Sequence, residues 1–458
     1  MTTGEIVTQR THDAAAGADL EHRLTPPASG DAYRPTMVPA PRQLPVPAAS
    51  AQKDGELVFE ALQGLPGLER LASDWGELAR SLAAMRFMHL PQWYRAYLGS
   101  RKSDPDLIWF VAAYRGGKLA AVFPLQFQHY QVRSLRPRLL GTVDDGEMQL
   151  SDFIFAQTAD NRGLLKELIR WLRRQKLLAW DELRLRKVPA DSAIAYAARA
   201  CPHWATLTLR HDGSAYFDTS GSYEQATQSM AGAFRRNLRR LARRAEETDP
   251  LRHRSYRLPG ELPSAFASFI DIEASGWKGA AGTSSAIGRQ PAMLRFYSQL
   301  VGEFGPQGNC IVNLLWHGDT AVAGQFCLQI GRTLHVLKIG FSNAHAHFAP
   351  GNLLLDLVIR QACEDPAIDV VSLVNEPAWG RNFKPLITGL WSYNAPNWSV
   401  RGLLVHVGLL VKRLRDKRGR RWLVPVDGRK DDGRRQAAGN RRPLPPARHT
   451  NQMSDSAW

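Results

Sequence analysis

Apolar positions recur along this chain with two periods, one helical and one of strand type, and the periods change over in a fixed order. Residues 66–82 place Leu68, Leu71, Trp75, Leu78 and Leu82 at helical spacing, with Pro66 suited to the first turn, where its missing N–H is no loss. Residues 91–98, with Trp93, Tyr94 and Tyr97, predict a second, shorter helix. Two apolar runs, 107–114 and 118–125, flank Arg115-Gly116-Gly117 and predict a hairpin. A strand-like stretch follows at 151–155. Residues 161–176 predict a helix on Leu164, Leu165, Leu168, Ile169 and Leu172. Residues 180–188 predict a strand that ends before Pro189.

The second half repeats that order with one more helix at its start. Ser222-Tyr-Glu-Gln225 has the form of a capping box and opens a helical region that runs to Glu247. In that region Phe234, Leu238, Leu241, Ala242 and Ala245 fall on one face and six arginines on the other. Helices are predicted over 262–277 and 291–304. A hairpin over His317-Gly318-Asp319 joins 311–316 to 321–330. Residues 331–363 then read as strand, loop and helix. Thr333 to Ile339 is a strand-length apolar run, and Leu353, Leu354, Leu357, Val358 and Gln361 recur at helical spacing. Between them, Pro350 ends the preceding conformation and Gly351 allows close backbone approach. A helix starting there turns unpaired amides and its positive dipole end into the loop, an arrangement that can hold a phosphate or form an ordinary turn. Strands at 368–374 and 391–400 complete the set. The expected architecture is therefore a duplicated α/β unit. Its boundaries are an aperiodic segment over 1–55, a first unit over 56–210, a second over 211–402, and a basic helix and tail over 403–458.

Composition changes this picture little, and charge changes it more. The chain of 458 residues is 44% hydrophobic and 22% charged, ample for large cores, but its net charge of +16 predicts an anionic partner. Much of the excess lies from Lys412 onward, where about fourteen Lys and Arg face about five acids. The N-terminus lacks the pattern of a signal peptide, and no apolar run is long enough to span a bilayer. Four scattered cysteines fit reduced thiols in a cytoplasmic protein better than a disulfide framework or a zinc site.

An ordered set of motifs carries a resemblance: FRRNLRRLARRAEE, EASGWKG, GTS, AGQFCLQ, LKIGFSNAHAHFAPGNLLLDLVI and FKPL. Together, over roughly 222–400, they resemble the GNAT-superfamily acetyltransferase domain of CelD-like proteins, associated with cellulose biosynthesis, with the FemAB transferases as more distant relatives. MHLPQWYRAY and the hairpin ending FPL resemble a first, degenerate GNAT unit of the same proteins. The resemblance implies a tandem GNAT fold of class α/β (α+β), each unit a mixed sheet flanked by helices. It also implies an acyl-CoA, acetyl-CoA in the first instance, seated between two splayed parallel strands, 333–339 and 368–374. The loop over 347–352 would then contact the pyrophosphate. That loop has one glycine and no arginine, a departure from the usual GNAT pattern.

The function implied is N-acyl transfer to an amine, directly and without an acyl-enzyme, on an acceptor tied to polysaccharide or cell-envelope synthesis. Glu273, one turn before Trp277 on the same face and close to Phe269, is the candidate general base. Its bland alternative is a surface glutamate. His347 is a second candidate base or phosphate contact. His345 and His347 have no third partner in the sequence that would suggest a metal, so none is expected. The donor-side residues are His347, Ala349, Pro350, Gly351, Asn352 and Lys384. The acceptor-side residues are Trp277, Lys278, Ser284, Asn375 and Glu376. The arginine face of 234–247 is either solvated or an anionic contact. Two alternatives stay open: a FemAB-type aminoacyl transferase using charged tRNA, and a non-catalytic envelope or polysaccharide scaffold whose basic C-terminal helix makes peripheral membrane contact.

Overall fold

The structure is a computed structural model and describes residues 56–421, apart from 101–102, 130–136, Gly146, 158–159, 201–206, Trp277 and 280–283. The first half runs β1 (Leu57–Gln63), α1 (Gly64–Arg80), α2 (Pro91–Gly99), β2 (Ile108–Arg115), β3 (Lys118–His129), β4 (Arg138–Thr142), β5 (Ile154–Phe155), α3 (Asn161–Arg174), β6 (Glu182–Pro189), α4 (Ala193–Ala200) and β7 (Leu207–Asp218). The second half runs α5 (Tyr223–Ala226), α6 (Gly232–Glu246), β8 (Leu251–Tyr256), α7 (Leu262–Ser275), α8 (Pro291–Phe304), β9 (Cys310–His317), β10 (Thr320–Ile330), β11 (Thr333–Phe341), α9 (Pro350–Glu364), β12 (Val370–Ser372), β13 (Leu386–Pro396) and α10 (Val400–Arg421).

The strands form one mixed sheet in the order β1-β2-β3-β4-β6-β13-β7-β12-β11-β10-β9-β8, with β5 beside β3. The expected α/β class and the duplicated order are both present. The halves also exchange strands. β7, from the end of the first half, pairs with β12 of the second, and β13 returns to pair with β6 of the first. The two exchanged strands pair with each other at the centre. The boundary expected between residues 210 and 211 cuts through β7.

Three cores hold the layers together. One face of the sheet carries α1, α2, α7 and α8 in a single core that crosses both halves. Trp93 and Phe296 meet edge to face at 5.2 Å there, and Arg95 of α2 bonds Glu303 of α8 at 2.9 Å. The opposite face has separate cores, under α3 and α4 in one half and under α6 and α9 in the other.

Local sequence explains most elements. Gly116 and Gly117 take positive φ of 56° and 75° in a two-residue hairpin turn between Arg115 and Lys118. The capping box at Ser222 forms, since its hydroxyl accepts from the Gln225 amide while Gln225 accepts from the Ser222 amide. The helix it opens lasts only four residues, however, and α6 starts separately at Gly232. No helix among the described residues is long and apolar enough to cross a membrane. The segments 1–55 and 422–458, and Cys201, lie outside the described residues.

Candidate functional site

β11 and β12 run parallel but pair at only three positions, Thr333↔Val370 to His335↔Ser372. Beyond that point they part, and both strands show why. β11 carries a bulge: its pairing with β10 skips from Val336 to Lys338, which leaves Leu337 as the extra residue. On the other side the chain after β12 stays with β7, because the Leu373 amide donates to Ala215 O (2.8 Å) and the Ala215 amide to Asn375 O (3.1 Å). Val374 sits at φ 64°, a left-handed conformation rare for a β-branched residue. Strain of this kind gathers where a site needs a particular backbone path.

A cleft of about 800 Å³ opens between the parted strands. One wall is β11 from Val336 to Phe341, whose edge toward β12 has no ladder partner there. The other wall is Leu373, Asn375 and the turn that carries Trp379, Arg381 and Asn382. The start of α9 lies at the mouth. Ala349 is left-handed (φ 51°), and Pro350 follows as the first helical residue without an N–H. The Asn352 and Leu353 amides turn back onto Ala349 O at 3.0 and 3.2 Å, so Gly351 supplies the first-turn amide still available to a ligand. A Cβ added at Gly351 would meet the Phe341 ring at 3.5 Å, an ordinary contact. Glycine here keeps the mouth open without being sterically required.

At the inner end, α7 packs directly on β11. A Cβ on Gly340 would lie 2.8 Å from Glu273 Cα, and one on Gly276 would lie 2.8 Å from Phe341 O. This close approach brings Glu273 to the cleft wall. Its carboxylate is buried and accepts from Lys278 Nζ (3.0 Å) and from the Ile287 amide (2.7 Å). Lys278 Nζ also donates to Ile339 O at 3.1 Å.

The cleft thus brings together Glu273, Lys278, Ala349, Gly351, Asn352 and Asn375 of the residues singled out in the sequence. His347 and Lys384 are exposed and are not among the lining residues; the His347 ring lies against Phe348 instead. Pro350 is buried beneath the mouth, and Ser284 is exposed away from the wall. Glu376 turns to the Gly213 amide (3.3 Å) and to Arg381 Nε (4.0 Å). Trp277 lies outside the described residues.

Other lining residues are not singled out by the sequence. Arg381 and Trp379 lie in the turn after β12. Gln149 comes from the first half. Lys338 interrupts an apolar strand, a signal that was available. Its Nζ donates to Glu147 Oε1 (3.2 Å) of the first half, and the Tyr297 hydroxyl donates to Glu147 Oε2 (2.6 Å). Burial, and then Glu147, holds the Tyr297 phenol well above its usual range.

The equivalent opening in the first half is filled by its own chain. β4 and β6 pair in parallel only from Leu139↔Glu182 to Gly141↔Arg184. The segment after β4 then occupies the gap: Asp144 pairs with Arg186 and Lys187, and Lys187 Nζ donates to Asp145 O and Met148 O. The thiols are poorly placed for nucleophilic work, since burial pushes Cys310 up to about 12 and Cys327 higher still. Among the described residues no group of three or more His, Cys, Asp and Glu is placed to hold a metal ion.

Residues 232–379 match the family model of an acetyltransferase (GNAT) domain, and that segment contains β11, α9, Glu273 and the α9 mouth. No curated protein matches the chain. Solved structures with a similar course include FemX (10% identity, 71% of this chain and 96% of that one, TM-score 0.47). L-PGS from Bacillus licheniformis is another (12%, 76% and 98%, TM-score 0.45). A tandem GNAT protein from the clavulanic acid biosynthesis pathway is a third (13%, 75% and 99%, TM-score 0.39).

Proposed function

We propose that the second half is an acyl-CoA-dependent N-acyltransferase, with acetyl-CoA as the first donor to test and an amine of a polysaccharide or envelope precursor as the acceptor, acting in the cytoplasm. The observation that carries this reading is the cleft between parted β11 and β12, with a helix start at its mouth and a buried carboxylate at its inner end. The residues present fit such a donor. The stretch of β11 that β12 leaves would offer backbone groups to the amides of an extended arm, as an added strand would use them, with Ile339 O already taken by Lys278. Gly351 and Arg381 both line the cleft, and the Gly351 N–H and the Arg381 guanidinium would serve a diphosphate there.

The donor supplies an acyl thioester, open to attack by a neutral amine. The chain's own residues would bind, orient and deprotonate. Glu273 is the carboxylate on the cleft wall, and an incoming ammonium that displaced Lys278 from Oε1 would lose its proton to it. Lys338 and Gln149 bound the acceptor end, so the first half contributes to the choice of acceptor. Most of the rate would come from holding the two reactants together.

A calorimetric titration of the full chain with acetyl-CoA and with free CoA tests the reading, repeated on Gly351→Trp. Micromolar binding that the tryptophan abolishes supports it. No binding by the wild-type chain at high ligand concentration overturns it. One observation favours a second reading, an aminoacyl-tRNA donor. α6 packs beside the turn over 343–348, and Arg236, Arg239, Arg240, Arg243 and Arg244 are exposed on it. RNA binding whose affinity falls steeply with salt would move that reading ahead.

A further inference from the structure

We propose that the outward face of α10 docks on an anionic lipid bilayer. This inference stands apart from the acyl-transfer reading. The inward side of the helix is already satisfied. Val405 and His406 are buried against β6 and β13, His406 Nδ1 lies 3.3 Å from Glu182 Oε2, and Arg401 Nε donates to Asp181 at 3.0 Å. The opposite side is apolar and uncovered. Val400, Leu403, Leu404, Val407 and Val411 are spaced by three and four residues, so they form one stripe about 100° wide. All five are exposed, Val400 at 78% and Leu404 at 64%. Trp398, 73% exposed, extends the stripe before the helix begins. A helix with one packed face and a second apolar face pointing outward needs a second apolar phase.

Charge identifies that phase. Between Lys412 and Arg421 the same helix carries seven basic residues against one acid, Asp416. The end of α3 adds to this. The Arg173 guanidinium lies over the Trp398 ring at 4.1 Å, and exposed Arg174 and Lys176 follow it. An apolar stripe with an indole at one end and a run of Lys and Arg at the other is the pattern of a helix lying in a membrane interface. Its chemistry calls for acyl chains beside negatively charged headgroups. A second copy of the chain would cover the stripe only by bringing two such basic surfaces together, and like charges oppose that pairing.

The test is co-sedimentation of the full chain with vesicles of phosphatidylcholine alone, and with vesicles that also contain phosphatidylglycerol. The expected result is binding to the mixed vesicles, weakened by salt, with little binding to the neutral ones. The double variant Leu404→Asp, Val407→Asp should partition about tenfold less or worse, since it puts charge where acyl chains should be. Both positions are exposed, so its thermal unfolding should match the wild type. A wild-type chain that ignores mixed vesicles overturns the proposal, as does a double variant that binds as well as the wild type. Sedimentation velocity showing a dimer that the double variant dissolves would overturn it in favour of self-association.

Discussion

The Glu273 carboxylate has both oxygens engaged, one by Lys278 and one by the Ile287 amide, yet it stands on the wall of the cleft between β11 and β12. Two substitutions separate its structural role from its chemical one. Glu273→Gln keeps the shape and an acceptor oxygen but removes the proposed base, so transfer should slow by about a hundredfold or more while donor affinity measured by titration stays put. An unchanged rate would remove Glu273 from the chemistry. Lys278→Met instead leaves a buried carboxylate without its cation and should lower the unfolding free energy by about 3 kcal/mol. His335 makes a different prediction. It is buried at the last β11 position that pairs with β12, edge to face with Phe87 at 5.0 Å, and neither ring nitrogen has a hydrogen-bond partner among the described residues. Burial first, then Arg86 and His89, press its pKa down to about 3. The unfolded chain therefore binds a proton below about pH 6.5 that the fold refuses, and stability falls as pH drops from there toward about 3. Urea midpoints across that range should slope less steeply for His335→Gln than for the wild type. Equal slopes would mean that the ring is not held neutral.

Turns and helix starts carry the next level. Ala349 is left-handed directly before α9, a conformation that costs an alanine about 1–2 kcal/mol relative to glycine. Ala349→Gly should accordingly raise the melting temperature slightly or leave it unchanged, although the same change at buried Ala362 inside α9 would lower stability by about 1 kcal/mol or more. The comparison needs only Ala362→Gly as the control, measured in the same melts. Several of the elements legible in the sequence share one property: a local signal where they begin or turn. The two-residue turn at Gly116-Gly117 has one, as do the prolines that open α2, α8 and α9. β7 had no such signal. Its residues, LTLRHDGSAYFD, include charges and a glycine where a core strand would be apolar, and both of its neighbours, β13 and β12, come from the second half. The site divides in the same way. Glu273, Lys278 and the α9 mouth follow from local pattern, whereas Gln149 and Glu147 reach the second half only through the tertiary fold. His347 and Lys384 stand close in sequence to lining residues, yet both are exposed and neither lines the cleft.

At the scale of the whole molecule, exchange of β7 and β13 makes the two halves one cooperative body. A cut at Gly221 would leave the first fragment with β7 but neither of its neighbours, and with the β6 edge bare. The second fragment would expose the edges of both β12 and β13. Each would also lose half of the core shared by α2 and α8. Unpaired edges of that length, with apolar faces behind them, favour aggregation over independent folding. Fragments 56–221 and 222–421 expressed separately should therefore be insoluble or melt without a cooperative transition. Expressed together, they should co-purify and melt as one unit. The cleft makes the outcome matter for the proposed function, since Gln149 of the first fragment lines it, Glu147 of the first fragment holds the lining Lys338, and its walls come from the second. If residues 222–421 alone gave a monomer with a cooperative melt, the first half would be an appendage. The cleft would then have to be complete without Gln149, and Lys338 would need another partner for its charge.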